Sequence, residues 1–329
     1  MRLRNMVFQG TVWGPTLWNA FFCDCAFVIR ACGFDLVVYA DDCNAFKFYA
    51  RSLSNGAIED DLRECQRSLH RWGAANSVVF DAGKEETMII SNVDPSGGPA
   101  KLLGIEFDNR LLMNMAVHKC ARKASWKTKS LLRSRRFYNT VDLVMLYKSH
   151  VLSYIEYRTP GIHFASSSVL RELDDIQRRY VRQLDLTEES AFMNFNLAPL
   201  EVRRDIAVLG VIHRAAMRAG PPPLWKFFRL ASPSDLPMRY SERHSRTHSL
   251  RFVEWPSGRN LDITRRSALG MIRVYNLLPP NLVLLRDLKD FQRGLTDLVR
   301  DRVVACDLRW RSLLSSRHAI LQYHPLVHP

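Results

Sequence analysis

Apolar residues change their spacing along the chain, and each change predicts a new element. Gly14-Pro15 suits a helix start, and the apolar run behind it predicts one helix as far as Cys32, stopped by Gly33. Phe34, Leu36 and Val38 then alternate, so Phe34–Ala40 and Asn44–Tyr49 read as strands joined by a turn at Asp41-Asp42-Cys43. Ile58, Leu62, Cys65, Leu69 and Trp72 recur at steps of four and three, one stripe of a helix. Its first turn is expected to hold Glu59, Asp60 and Asp61, where the helix dipole favours anions. Val78–Phe80 and Thr87–Ile90 predict a second hairpin about Asp81-Ala82-Gly83.

Asp94-Pro95-Ser96-Gly97-Gly98-Pro99 reads as a linker. After a strand near 102–107 the period turns helical over 113–136 and 141–154, with a joint at Phe137-Tyr138-Asn139. Further helices are expected at 169–184 and 200–218, the latter ended by Gly220 and three prolines, and at 263–277 and 287–315. Residues 230–262, rich in Ser, Pro, Arg and His, read as an irregular connector. The fold class is α+β, in four parts: 1–92, 93–112, 113–220 and 221–329.

Charge divides the chain more sharply than hydropathy does. Its 329 residues carry a net +14, yet residues 1–92 hold 9 Lys/Arg against 11 Asp/Glu, and residues 93–329 hold 38 against 22. A near-neutral front and a basic body suggest a chemical site followed by a polyanion-binding surface. Between Asn109 and Val141 lie nine Lys/Arg and no Asp or Glu, with Trp126, Phe137 and Tyr138 interleaved. Lys119, Arg122, Lys123, Lys127, Lys129, Arg133 and Arg136 recur at helical intervals, giving a cationic flank, whereas a merely solvated face usually mixes signs. Arg171, Arg178, Arg179 and Arg182 form a second, weaker stripe, for which a binding face and plain surface are equal alternatives.

Seven cysteines without paired spacing indicate a reducing compartment, and Cys23-x-Cys25 has no second pair to complete a zinc site. His244 and His248 are expected to be solvated. The start lacks a signal-peptide segment, and the apolar stretch from Leu17 to Ile29 is short for a membrane span and contains Asp24, so a soluble intracellular protein without a membrane partner is expected.

Asp41 and Asp42 are adjacent like charges, which implies either plain exposure or a bound cation, since hard cations take carboxylate and phosphate oxygens together. The surrounding blocks bear on that choice. Gln9-Gly10, Gly14-Pro15 and Asn19, then Tyr39-Ala40-Asp41-Asp42, then Lys84, then Leu103-Gly104 resemble, in order, motifs of the reverse transcriptases of non-LTR (LINE-type) retrotransposons. Residues 199–215 and 275–295 are similar to C-terminal segments of the same elements.

The resemblance implies a partial palm over 1–92, a primer-grip turn at Leu103-Gly104, a helical thumb over 113–220 and a C-terminal helical extension. It implies two-metal nucleotidyl transfer with Mg²⁺, Asp41 the principal ligand and Asp42 the weaker, and Lys84 either acting on the leaving pyrophosphate or standing as a surface lysine. Gln9, Gly10, Tyr39 and Ala40 would lie against template and nucleotide, and the basic helix against the backbone of an RNA template and DNA primer. Two departures matter: Glu85 stands where the family commonly has threonine, and the family's third carboxylate and fingers lie upstream of the Gln9 block, where eight residues hold no Asp or Glu. The expectation is a polymerase fragment inactive alone, taking a deoxynucleotide only if completed upstream, with an unpaired sheet edge and exposed apolar surface. The alternative is a non-catalytic nucleic-acid-binding remnant.

Overall fold

The computed structural model describes residues 11–220, 222–225, 227–232, 248–255, 262–317 and 324–327. The chain divides into two compact units, Met1–Lys101 and Leu102–Pro329. Helix and strand are mixed, with two small antiparallel sheets. No helix among the described residues is long and apolar enough to cross a membrane.

In the first unit the expected single helix is two, α1 (Gly14–Phe22) and α2 (Cys25–Ala31), parted at Cys23-Asp24. Gly33 ends α2 at a φ of 80°, and the Phe34 amide donates to the Ile29 carbonyl, a left-handed stop that turns the chain into β1 (Asp35–Tyr39). β1 pairs antiparallel with β2 (Asp42–Phe46). α3 (Asn55–Ala75) starts at Ser54, whose hydroxyl accepts from the Ala57 amide, a full turn before the acidic run. Glu59, Asp60 and Asp61 therefore lie past the first turn: the first two pair with Arg63, and Asp61 accepts from Lys47 Nζ (2.6 Å) and Tyr49 Oη (2.7 Å). Those two bonds hold the Asp61 carboxyl below the usual carboxylate range.

The core of this unit joins Phe22, Cys25, Ile29, Phe34, Cys65 and Trp72. All seven cysteines are free, and Cys25 lies within hydrogen-bonding reach of Cys43, as Cys32 does of Cys65. Burial pushes Cys25 and Cys65 up to about 12, so both stay protonated thiols. The expected hairpin of 78–90 does not form; Ile89 makes only an isolated bridge with Ser96. Side chains anchor that segment instead, with Phe80 against Trp72 and Glu85 bonded to Gln66 and His70 of α3. The backbone groups a ladder would use thus have no strand to meet.

Strands β3 (Ala100–Leu102) and β4 (Ile105–Phe107) follow. In the second unit come α4 (Asn114–Arg133), α5 (Thr140–Tyr147), α6 (Ser153–Glu156), α7 (Thr159–Ile162), α8 (Ser167–Gln183), α9 (Glu188–Phe195) and α10 (Leu200–Ala216). A π-helical stretch, Lys148–Leu152, links α5 to α6, so the expected helix of 141–154 runs on with a widened turn. The chain then forms α11 (Pro222–Trp225), α12 (Asp262–Arg266), α13 (Ala268–Tyr275), α14 (Pro280–Val283) and α15 (Leu288–Val304). α15 ends well before 315, because Cys306 turns left-handed at a φ of 56°.

Two cores fill this unit. One packs α4 on α8, with Tyr147 stacked on Tyr180 at 4.4 Å and the Tyr180 hydroxyl donating to Leu143 O at 2.8 Å. The other surrounds α10, α13 and α15. Residues 233–247 and 256–261 of the expected connector, with His244, lie outside the described residues. His248 contradicts its solvated reading: it is 5% exposed and bonds Tyr275 O at 2.9 Å, because Asn276 clamps the backbone of Phe252 and folds this segment onto the core.

His213 is buried deeper still, stacked on Phe291 at 3.9 Å. Its Nε2 can only donate to Leu285 O (2.7 Å), and in the neutral ring that burial favours, Nδ1 accepts from the Tyr275 hydroxyl (3.0 Å). Burial lowers the pKa of both His213 and His248, against the bonds to carbonyls that raise it. The unfolded chain then binds these protons first, so their contribution is intact above the ordinary value of 6.5 and is lost as pH falls below it. Glu201, raised by burial to about 7, works in the opposite sense between its ordinary 4.5 and 7. Urea unfolding at several pH values is therefore expected to show a smaller loss of stability below pH ~6.5 in His213→Gln than in the wild type; equal slopes would contradict the neutral buried ring.

Candidate functional site

The hairpin register pairs Tyr39 with Asp42, so the loop is Ala40-Asp41 alone. Asp41 occupies the loop and Asp42 opens β2, which shifts the expected turn back by one residue. Ala40 takes a φ of 55°, the positive value that a tight two-residue loop demands at its first position and that an L-residue resists. Trp18 of α1 donates its indole N–H to Ala40 O at 2.9 Å. Trp18 stacks on Phe22 at 5.2 Å, and Phe22 meets Trp72 edge-on at 5.4 Å. The loop is thus tied through aromatic rings to the core, a link that no spacing in the sequence announced.

Both carboxylates are exposed. Alternation along the strands puts Asp42 on one face with Val37, Tyr39 and Phe46, and Cys43 on the other with Leu36 and Val38. On the first face Val37 is 56% and Tyr39 63% exposed, and β1–β2 has no third strand among the described residues. No group of three or more His, Cys, Asp or Glu among the described residues is arranged to hold a metal ion. Relaxing the loop is expected to stabilise this unit: Ala40→Gly should raise its unfolding free energy by about 0.5–1 kcal/mol, read by tryptophan fluorescence in denaturant. A decrease would show that Ala40 is not strained.

Lys84 ends a short 3₁₀ turn, fully in solvent apart from Asp81 at 3.4 Å. Its neighbour Glu85, the departure from the family pattern, is committed to α3 through His70 at 2.7 Å. Gln9 and Gly10 lie outside the described residues.

In the second unit Leu103 and Gly104 take φ values of 48° and 79°, both positive as a type I′ turn between β3 and β4 requires. The Tyr157 hydroxyl donates to Leu103 O at 2.9 Å. Asp108 then accepts from the amides of Arg110, Leu112 and Met113 and starts α4.

The cations of α4 are not equivalent. Lys119 is taken by Glu106 at 2.6 Å, and Lys127 is half-buried over the Tyr154 ring. Arg122, Lys123, Lys129, Arg133 and Arg136 are exposed and form no ion pair among the described residues. Lys123 lies over Trp126 (4.8 Å) and Arg136 over Phe137 (4.7 Å), with both rings more than half exposed. Packing of α4 on α8 unites the two basic stripes. Arg122 faces Arg178, Arg179 and Arg182 across a groove of about 600 Å³, in which Glu172 and Asp175 offset part of the charge. No family model, curated protein or solved structure matches the chain. Chemically, the two units present paired carboxylates on a braced loop and a cationic, aromatic-studded helix face.

Proposed function

We propose that the chain is part of an RNA-directed DNA polymerase of the non-LTR retrotransposon kind, binding primer and template through α4 and the α4/α8 groove. The observation that carries this reading is the Tyr39-Ala40-Asp41-Asp42 loop: paired carboxylates on a strained two-residue turn, braced by an indole. Adjacent exposed carboxylates are hard oxygen donors suited to one divalent cation such as Mg²⁺, with phosphate oxygens completing its shell. A bound cation would supply charge neutralisation at phosphate. Asp41 would be the principal ligand and Asp42 the weaker, while Ala40 leaves room beside them. Leu103 and Gly104, as a rigid turn, suit a primer end, and Tyr39 offers an exposed ring.

Phosphoryl transfer by two ions needs a further carboxylate to set their separation of ~3.5–4 Å. The described residues supply none beside the loop, which favours a second reading, nucleic-acid binding without chemistry. Primer extension on a homopolymer template with Mg²⁺ or Mn²⁺ separates the two. The chain alone is expected to incorporate nothing, because positioning provides most of the rate in this chemistry. Fusion behind a fingers-and-palm segment carrying the further carboxylate is expected to restore incorporation, and Asp41→Ala to abolish it. Failure of the fusion, with duplex binding intact, would favour the binding-only reading.

A further inference from the structure

Adjoining the α4/α8 groove, a polar cavity of about 150 Å³ lies among α8, α10 and residues 311–317. Five arginines and three carboxylates line it. Most of that charge is spent internally: Arg204 makes a two-pronged pair with Asp174 (2.7 and 3.0 Å), and Arg311 reaches Glu188 and Glu189 outside the cavity. Arg317 is different. Its guanidinium donates to the carbonyls of His163 (2.7 Å) and Ala165 (3.1 Å) and to Ser167 Oγ (3.1 Å), and it forms no ion pair among the described residues. Arg171, exposed on the rim, has none either. His163 is 4% exposed; its Nε2 faces Asp205 Oδ1 at 3.3 Å, and its buried Nδ1 has no partner among the described residues.

We propose that this cavity binds a tetrahedral oxyanion of the phosphate class, held by Arg317 and Arg171. Two guanidinium groups without an ion-pair partner among the described residues, one inside a polar void and one at its mouth, are what such an anion satisfies. Its volume equals that of about five waters, enough for a phosphate group and too little for a nucleoside. The Glu201 carboxyl lines the same cavity with no hydrogen bond among the described residues. Desolvation, helped by Asp174, Asp205 and Glu188 and opposed by Arg204, pushes its carboxyl up to about 7. An anion arriving beside it favours the protonated acid, which then donates its O–H, so binding takes up a proton. Arg178 lines both this cavity and the α4/α8 groove. The anion is therefore either free phosphate or, resting on the nucleic-acid reading above, the terminal phosphate of a strand in that groove.

Calorimetric titration of the full chain with inorganic phosphate and with sulfate tests this, because sulfate keeps its charge across the pH range and so reports only the protein's own proton uptake. Sulfate is expected to bind tighter as pH falls from 8 to 6, by at most about tenfold per pH unit for one linked proton. Glu201→Gln should keep binding and lose most of the pH dependence. Arg171→Ala, a surface change unable to unfold the chain, and Arg317→Lys should each weaken binding by about tenfold. No heat with either anion at millimolar concentration, or affinity unchanged in both arginine variants, overturns the proposal. Given anion binding, a 5′-phosphorylated oligonucleotide that outbinds its 5′-hydroxyl twin assigns the site to a strand end, and equal binding assigns it to free phosphate. Loss of oligonucleotide binding with sulfate binding intact would sink the nucleic-acid reading alone.

Discussion

Replacing Arg122, Lys129, Arg133 and Arg136 together by glutamine is expected to lower the slope of log affinity against log salt by roughly 3–4 units on duplex. Each phosphate neutralised releases about 0.9 of a counterion, so four lost contacts set that figure. These four are the right targets because they are exposed and form no ion pair among the described residues. Lys119→Gln makes the control: Glu106 already compensates that lysine, so its removal should change the slope by well under one unit. Fluorescence anisotropy of a labelled primer–template across a salt series reads both. An unchanged slope in the fourfold variant would place the binding surface elsewhere.

Asp174→Ala is expected to destabilise the second unit by about 3–5 kcal/mol, the cost of leaving a buried charge without its partner. Arg204 is only 6% exposed at its side chain and spends two guanidinium nitrogens on Asp174. Removal of the carboxylate strands that cation between α8 and α10. Asp174→Leu combined with Arg204→Met should recover most of the loss, since the pair's desolvation cost disappears with its attraction. Urea midpoints of the single and double variants give the comparison. A single variant within about 1 kcal/mol of wild type would mean that solvent reaches Arg204.

Much of the framework was legible because helix and hairpin signals are local. The stripe of Ile58 to Trp72 became the buried side of α3, and 169–184 and 200–218 became α8 and α10 within two residues. The hairpin presenting Asp41 was readable for the same reason, since strand alternation and turn residues specify it within a few positions, whereas the single strand expected near 102–107 is two short strands parted at Leu103-Gly104. The strands at 78–80 and 87–90 failed because a strand needs a partner, and Glu85 and Phe80 found α3 first. His248 was misread because its burial depends on Tyr275 and Asn276, far along the chain.

The sequence by itself determined the order of the longer helices, the neutral front and basic body, and the placing of two carboxylates where a hairpin turns. Only the tertiary structure decided which cations remain available, since α4 sends Lys119 to Glu106 and leaves Arg122 facing Arg178, Arg179 and Arg182. It alone set Trp18 against the Ala40 carbonyl and gathered Arg317, His163 and Glu201 around one cavity. Periodicity is a property of neighbours in the chain. Charge compensation, desolvation and bracing are properties of neighbours in space, and those are fixed only when the elements pack.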